Sequence, residues 1–232
     1  MLSVVSTPIG NLGDITARAK EVLAQCDAII CEDTRVTGQL LHLLGLPKKE
    51  LISFHSYSDT HKLDLILQRL RKGDHLALVS DAGTPGISDP GYAVVAATLT
   101  LPSPSEEGEG VRIEVVPGPS AFLAALSVSG LPVNQFVYLG FLPLKKGRKT
   151  LLESFRREER TVVFYESVHR IERTLLELVE VLSDQEDRPI VICRELTKMH
   201  EEVLRTTIGG LREVLPVLTV KGEFVVIVSG AP

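Results

Sequence analysis

In the first half of the chain, short apolar runs alternate with segments of helical period. Leu2–Ser6, Ala28–Cys31, Leu51–Phe54, Leu76–Val79 and Val111–Val116 read as strands. Between them, apolar residues recur at spacings of three and four: Ile15, Ala19, Val22 and Leu23; Val36, Leu40, Leu43 and Leu44; Leu63, Ile66, Leu67 and Leu70; Ala93, Val94, Ala97 and Leu99. Each set makes one apolar helix face. Asp14 stands as the cap of the first helix, Gly45 and Pro47 stop the second, Gly73 ends the third, and Asp89 with Pro90 starts the fourth. A further helix runs through Ala121–Leu126. Strand–helix alternation predicts a mostly parallel, doubly wound sheet.

The rhythm then changes. Phe136–Phe141, Thr161–Tyr165, Ile190–Cys193, Glu202–Thr206 and Gly222–Ser229 read as strands, and several are joined by only a few residues. Short connections imply antiparallel neighbours, so a mixed sheet is expected here. Helices fall at Leu151, Leu152 and Phe155, and at Ile171, Leu175, Leu178 and Leu182, the latter capped by Ser167. The pattern predicts two α/β domains, 1–117 and 118–232, with the boundary in the stretch Pro117–Leu131.

Leu76–Tyr92 stands out. After the strand come eleven residues, Asp81–Gly91, holding three glycines, two prolines and two aspartates. A plain turn in an αβ unit needs about two to six residues. Glycine lets backbone come close to a ligand, and proline fixes the turn without adding a donor. Polar clusters also follow the other strands: Thr7–Gly13, Glu32–Arg35, His55–Asp59 and Pro117–Ser120. All fall at carboxyl ends of strands, the edge where such sheets bind ligands.

Composition narrows the class. The chain has 232 residues, 44% hydrophobic and 24% charged, which allows a sizeable core. No apolar run reaches membrane-spanning length, and no signal-peptide pattern opens the chain, so a cytoplasmic protein is expected. Cys26, Cys31 and Cys193 form no CxxC pair and sit among apolar residues, as buried thiols do. No His/Cys/Asp group has metal-ligand spacing, so no metal is expected. The net charge is −5, with the acid excess confined to 1–117. The segment Lys145–Arg160 nevertheless carries seven Lys/Arg against three acids. It reads either as a solvated helix face or as a phosphate-contacting patch centred on Lys145, Lys146, Arg148 and Lys149.

Gly83–Gly86 lacks the lysine of a phosphate loop, no G-x-G-x-x-G follows the first strand, and no G-x-S-x-G elbow is present. The motifs that are present, Thr7–Leu12, Glu32–Arg35, Val79–Pro85 with Asp89–Tyr92, Pro117–Pro119, Phe164–Ser167 with His169 and Arg170, and Arg194–Lys198, resemble in order and spacing the small-subunit ribosomal RNA methyltransferases of the tetrapyrrole methylase superfamily. An acidic insertion around Ser103–Gly110 is the one clear departure.

The resemblance implies a two-domain tetrapyrrole-methylase-like α/β fold, S-adenosyl-L-methionine in the cleft between the domains, and a homodimer. It implies methylation of the ribose 2′-OH of a cytidine in the decoding region, on small-subunit rRNA or the assembled small ribosomal subunit. Carried onto this chain, the cofactor positions are Pro8, Ala82, Gly83, Thr84, Ile87, Ser120, Ala121, Tyr165, Leu196 and Glu223. The reaction needs an in-line arrangement and a proton acceptor for the hydroxyl. Asp33, Arg35 and Glu166 are the first catalytic candidates, with Glu32, His55, Glu195 and Lys198 behind them. An N-cap with a helix-start ion pair is the alternative for Asp33 and Arg35. The other functions open are C-methylation of a corrin or porphyrin precursor and a non-catalytic, cofactor-binding ribosome-associated factor.

Overall fold

The computed structural model describes residues 1–55, 60–102 and 110–232. Most of the His55–Asp59 cluster and of the acidic insertion therefore lies outside the described residues. The chain divides into two compact units, Met1–Ser120 and Ala121–Pro232.

The first unit is built on five parallel strands: β1 (Leu2–Val5), β2 (Ala28–Cys31), β3 (Glu50–Ser53), β4 (Leu76–Leu78) and β5 (Ile113–Val116), in the order β3-β2-β4-β1-β5. Alternate residues of each strand face opposite layers. Ala28 and Ile30 pack with Ile66, Leu67 and Leu70 of α3 (Thr60–Arg71) and Val94 of α4 (Gly91–Thr98). Ile29 and Cys31 pack with Ala19 and Leu23 of α1 (Ala17–Gln25) and Leu41 of α2 (Thr34–Leu43). Burial on both faces is why β2 and β4 read as unbroken apolar runs, whereas the edge strands β3 and β5 keep exposed positions at Glu50 and Val115. The sorting also fixes where a ligand fits. Helices α1 and α2 cover one face, α3 and α4 the other, so β4 lies between two strands, β1 and β2, whose following helices leave on the opposite side. The loops after these strands therefore diverge and leave crevices on either side of β4.

The second unit carries β6 (Phe136–Phe141), β7 (Thr161–Glu166), β8 (Pro189–Arg194), β9 (Glu202–Thr207) and β10 (Phe224–Val228), in the order β6-β7-β10-β8-β9. Only β6 and β7 are parallel; the other pairs are antiparallel. The sheet is mixed, as the short connections implied. Its central strand aligns Val226 with Phe164 on one side and Ile192 on the other, all three buried. This face packs against α6 (Arg148–Ser154), α7 (Ile171–Val181) and α8 (Leu211–Val214). The opposite face meets α5 (Ala121–Ser129). Burying a side chain such as Phe164 or Leu175 contributes roughly 1.5–3 kcal/mol.

Several local expectations shift. The first helix is capped by Thr16, which accepts the Ala19 N–H, while Asp14 closes a preceding 3-10 turn. Leu99 is 71% exposed and does not join the α4 core face. Ser167 does not cap α7 through its side chain; its carbonyl accepts the Arg170 and Ile171 N–H groups, and the helix starts three residues later than the cap position implied. Cys26, Cys31 and Cys193 are free and buried, with burial pushing the Cys193 thiol up to about 11. No helix among the described residues is long and apolar enough to cross a membrane.

Candidate active site

The loops after β1, β4 and β5 are knitted by their own backbone. Thr7 N–H donates to Gly83 O at 2.9 Å and Gly83 N–H to Thr7 O at 3.2 Å, a two-bond antiparallel bridge across one crevice. Ser6 Oγ lies 3.0 Å from Thr84 Oγ1, which donates to Pro119 O at 3.1 Å. Ser80 Oγ donates to Ala82 O. The Ser6 and Thr84 hydroxyls thus tie loop to loop, while Ser80 braces its own loop. Pro8, Ile9, Gly83 and Pro85 are buried, while Asp81, Ala82, Ile87 and Ser88 face outward.

Glycine is favoured here by conformation at one position and required by space at another. Gly83 has φ +83°, and a β-carbon on it would sit 3.3 Å from Ile9 Cγ2. One on Gly118 would sit 2.8 Å from Ser6 Cβ. Asp89 organises the far end of the loop. Its carboxylate accepts N–H bonds from Gly86 at 2.9 Å, Ile87 at 3.2 Å and Gly91 at 2.7 Å. It thereby caps the start of α4 from one position further out than the cap geometry implied.

On the other side of β4 lies a carboxylate group. Asp33 N–H donates to Asp81 Oδ1 at 3.1 Å, and Asp81 N–H approaches Glu32 Oε1 at 3.5 Å. Asp33 also caps α2 and pairs with Arg35 at 2.5 Å, and the guanidinium holds its carboxyl down at about 2. Glu32 is pushed the other way, first by burial and then by the charges of Asp81 and Asp89. The Arg35 side chain is 89% exposed. Asp81 was not among the sequence candidates; its signal was an acid set directly after a buried strand.

In the second unit, Tyr165 Oη accepts the Phe122 N–H at the first turn of α5, 3.3 Å away. Its ring meets Tyr138 edge-on and Phe141 at centroid distances of 5.5 Å. Burial, then Tyr138, pushes its hydroxyl above the usual phenol range. The Arg194–Lys198 turn is tied to the entry of β10: Glu195 N–H donates to Glu223 O, Glu223 N–H to Glu195 Oε1, and Lys198 Nζ reaches both carboxylates at 2.8 and 2.9 Å. Burial works against charge on Lys198, but the two carboxylates outweigh it and hold its ammonium above the ordinary value. Leu196 is buried beneath this turn, and Ser120 and Ala121 are half-buried.

Glu166 and Arg148 sit where neither can play the part their sequence positions suggest. Glu166 has no exposed side-chain surface. Its Oε1 accepts the Ser167 N–H at 2.8 Å and pairs with Arg170 at 2.8 Å, while Oε2 accepts Thr174 Oγ1 at 2.7 Å. Both oxygens are engaged, so its carboxylate is not poised as a base. Arg148 lies within the basic run yet is only 5% exposed, bonded to Glu177, Thr174 and Pro143 O. It is not a surface phosphate contact. Lys145, Lys146 and Lys149 are exposed. Among the described residues no group of three or more His, Cys, Asp or Glu is placed to hold a metal ion.

The model of the tetrapyrrole (corrin/porphyrin) methylase family matches residues 1–212. A ribosomal RNA small subunit methyltransferase I of Haemophilus influenzae is 44% identical over 236 residues, covering 100% of this chain and 79% of that protein. One of the same name from Thermotoga maritima is 42% identical over 232 residues, covering 99% and 98%. A solved uroporphyrin-III C-methyltransferase from Thermus thermophilus, complexed with S-adenosylhomocysteine, superposes with a TM-score of 0.64 at 19% identity, covering 98% of this chain and 96% of that one. At that identity the likeness bears on the fold.

Proposed function

The chain belongs to the tetrapyrrole (corrin/porphyrin) methylase family, and from that premise we propose that it transfers a methyl group from S-adenosyl-L-methionine to small-subunit ribosomal RNA. The acceptor in this reading is the ribose 2′-OH of a cytidine in the decoding region, on the rRNA or the assembled subunit, and the enzyme works as a cytoplasmic homodimer. The observation that carries it is the likeness, over essentially the whole chain, to proteins named as ribosomal RNA methyltransferases. The porphyrin-methylating neighbour bears on the fold alone, so a small-molecule acceptor is kept only as an outcome of the test.

The loops fit the cofactor. A glycine at the approach (Gly83), Ser6 and Thr84 hydroxyls already engaged between loops, and the outward-facing residues Ala82 and Ile87 suit a ligand recognised largely by backbone groups. In this reading Pro8, Ala82, Gly83, Thr84 and Ile87, with Ser120, Ala121, Tyr165, Leu196 and Glu223, would hold it. When bound, it supplies an electrophilic methyl on a sulfonium. The protein's own work is alignment and proton handling. Alignment of oxygen, carbon and sulfur is worth up to about 7–11 kcal/mol of barrier. For the proton, Glu32 is the better acceptor than Asp33: burial and Asp81 raise the proton affinity of Glu32, whereas Arg35 makes Asp33 a weak base. In this reading Arg35, whose guanidinium is exposed beside Asp33, would meet an RNA phosphate. Lys145, Lys146 and Lys149 form the second phosphate-facing group.

The test is transfer of labelled methyl from S-adenosyl-L-methionine to small ribosomal subunits, naked rRNA or a porphyrin precursor, followed by mapping. Label at one cytidine 2′-oxygen is the expected result. Label only in the porphyrin, or cofactor binding with no transfer to any acceptor, overturns the reading.

A further inference from the structure

Glu166 anchors more than its own turn. Beyond the Ser167 N–H, it holds two guanidiniums, Arg170 at 2.8 Å and Arg148 at 3.8 Å, and the Thr174 hydroxyl. Each arginine then reaches on to the loop that leaves β6. Arg170 Nη1 donates to Leu142 O at 3.0 Å, and Arg148 Nη1 to Pro143 O at 3.2 Å. Arg148 Nη2 also donates to Thr174 Oγ1 at 2.7 Å. The loop so gripped runs through Leu144, Lys145 and Lys146 to Gly147, where φ is +80° and α6 begins. Its two root carbonyls hang from one buried carboxylate.

That carboxylate immediately follows Tyr165, whose hydroxyl fixes the start of α5. On the outer side, Arg148 lines a groove of about 560 Å³ whose other charged residues are Lys145, Lys149 and Arg173, against Glu177 and Glu180. Arg173 is braced by Glu177, the same carboxylate that accepts Arg148. One buried charge therefore stands between a cation-rimmed groove and the Tyr165 edge. A buried ion set of this kind costs desolvation that a hydrophobic cluster avoids, so it adds specificity of position more readily than stability.

We propose that Glu166, acting through Arg148 and Arg170, is a positioning residue. It fixes the lysine-bearing loop, as the RNA phosphate-docking element, and the Tyr165 cofactor edge from one anchor. The proposal rests on the reading of the preceding subsection and deepens it by assigning the groove to the RNA backbone. Glu166 touches neither ligand. Loosening it should weaken both together, while the number of cations meeting phosphate stays the same.

The experiment measures three quantities in wild type and in Glu166→Gln: affinity for S-adenosylhomocysteine by calorimetry, affinity for a small-subunit rRNA fragment across a salt series, and turnover at saturation. Both affinities should fall by about tenfold, equivalent to about 1.4 kcal/mol each. The salt slope for RNA should stay at its wild-type value, since that slope counts phosphate contacts. Thr174→Val, which removes the hydroxyl bonded to Glu166 and Arg148 but leaves both guanidinium–carboxylate pairs, should move both affinities the same way by less. Arg170→Lys, which keeps the charge but not the fork to Leu142 O, should fall between them; these two variants carry the comparison if Glu166→Gln does not fold. Lost turnover with both affinities intact would make Glu166 a group at the reacting atoms and overturn the proposal. A lower melting temperature with both affinities intact, or a fall in one affinity alone, overturns it equally. A wild type that binds S-adenosylhomocysteine but no RNA removes the RNA reading and this inference together, whereas the other failures remove the inference alone.

Discussion

Gly83 gives the sharpest test of the crevice beside β4. Replacing it with alanine places a β-carbon 3.3 Å from Ile9 Cγ2 and 3.6 Å from Pro119 O, on a residue whose φ is +83°. The left-handed conformation costs an L-residue roughly 1–2 kcal/mol. The contact asks Ile9 to move by a few tenths of an ångström. A protein of ordinary stability, about 5–15 kcal/mol, survives that. The melting temperature should fall by a few degrees for each kcal/mol, about 2–8 °C depending on domain size. The effect on ligand should be larger than this strain suggests. Gly83 is one half of the bridge to Thr7, and moving it shifts Ala82 and Thr84 with it. Affinity for S-adenosylhomocysteine, by calorimetry, should drop at least about tenfold, or 1.4 kcal/mol. Gly45→Ala is the control. Gly45 has φ +66° after α2 with nothing within 4 Å of its would-be β-carbon, so it carries the backbone penalty without a ligand loop. Equal melting losses with affinity lost only at Gly83 support the assignment. A Gly83→Ala protein that melts lower but binds within twofold of wild type refutes it, because the loop would then serve the fold alone.

Neutralising Lys145, Lys146 and Lys149 together should lower the salt slope of RNA binding by roughly 2, at about 0.7 per single-strand phosphate contact, and leave cofactor affinity alone; an unchanged slope removes these residues from the interface. Glu32→Gln should cut turnover by about 10²–10⁴-fold and erase the acid limb of its pH profile, with Asp33→Asn costing less; the reverse order in stopped-time methylation assays would exchange their roles. His75 is held below its ordinary 6.5 by burial and then by the Met1 ammonium. Its folded form thus binds the proton less readily than the unfolded form, so its contribution is fully present above pH 6.5 and is lost as pH falls below that toward the folded value. Denaturant titrations should show this loss, and His75→Gln should flatten it; an identical pH slope in the variant would clear His75 of the effect.

The strand–helix alternation of the first unit was legible because its central strands β2 and β4, buried on both faces, leave no polar phase to misread. The mixed sheet of the second followed from connections too short for crossovers. What the sequence could not carry was tertiary pairing. Arg148 sits between Gly147 and Lys149 in a run of exposed cations, and nothing local separates it from them. Its partners Thr174 and Glu177 lie on another helix, and only their arrival makes a buried arginine tolerable. Glu166 is an acid at a strand end, the right place for chemistry, but its engagement by Arg170 and Thr174 depends on how α7 begins. That start is not where the Ser167 hydroxyl implied, since Ser167 offers its carbonyl instead. The bond network of Ser3, His75 and Glu114 is another such case. Ser3 Oγ donates to Glu114 and lies 2.8 Å from His75 Nε2, tying β1 and β5 to the residue that precedes β4, and no linear motif announces it.

Backbone strain points to the same loops by an independent route. Among the described residues, the non-glycine positions with positive φ are Ser88, Glu195 and Thr197. All three lie in motif loops, one after β4 and two after β8. Each such position costs on the order of 1–3 kcal/mol and persists only where its surroundings hold it. Ser88 sits inside the clamp that Asp89 closes on Gly86, Ile87 and Gly91. Thr197 N–H is held by Glu201 Oε2 at 2.6 Å. Glu195 shows why glycine is not simply used instead. Glycine there would relieve the backbone but delete the carboxylate that accepts both the Glu223 N–H and Lys198 Nζ. Gly222 is the complement: a β-carbon on it would overlap Glu195 Cγ, so the space for that carboxylate is kept open from the other side. The chain thus places a strained acid where an easier residue would fold, and a glycine where an acid must fit. Stability alone does not ask for that combination. A turn that must hold Leu196 and Glu223 at fixed positions beside the entry to β10 does.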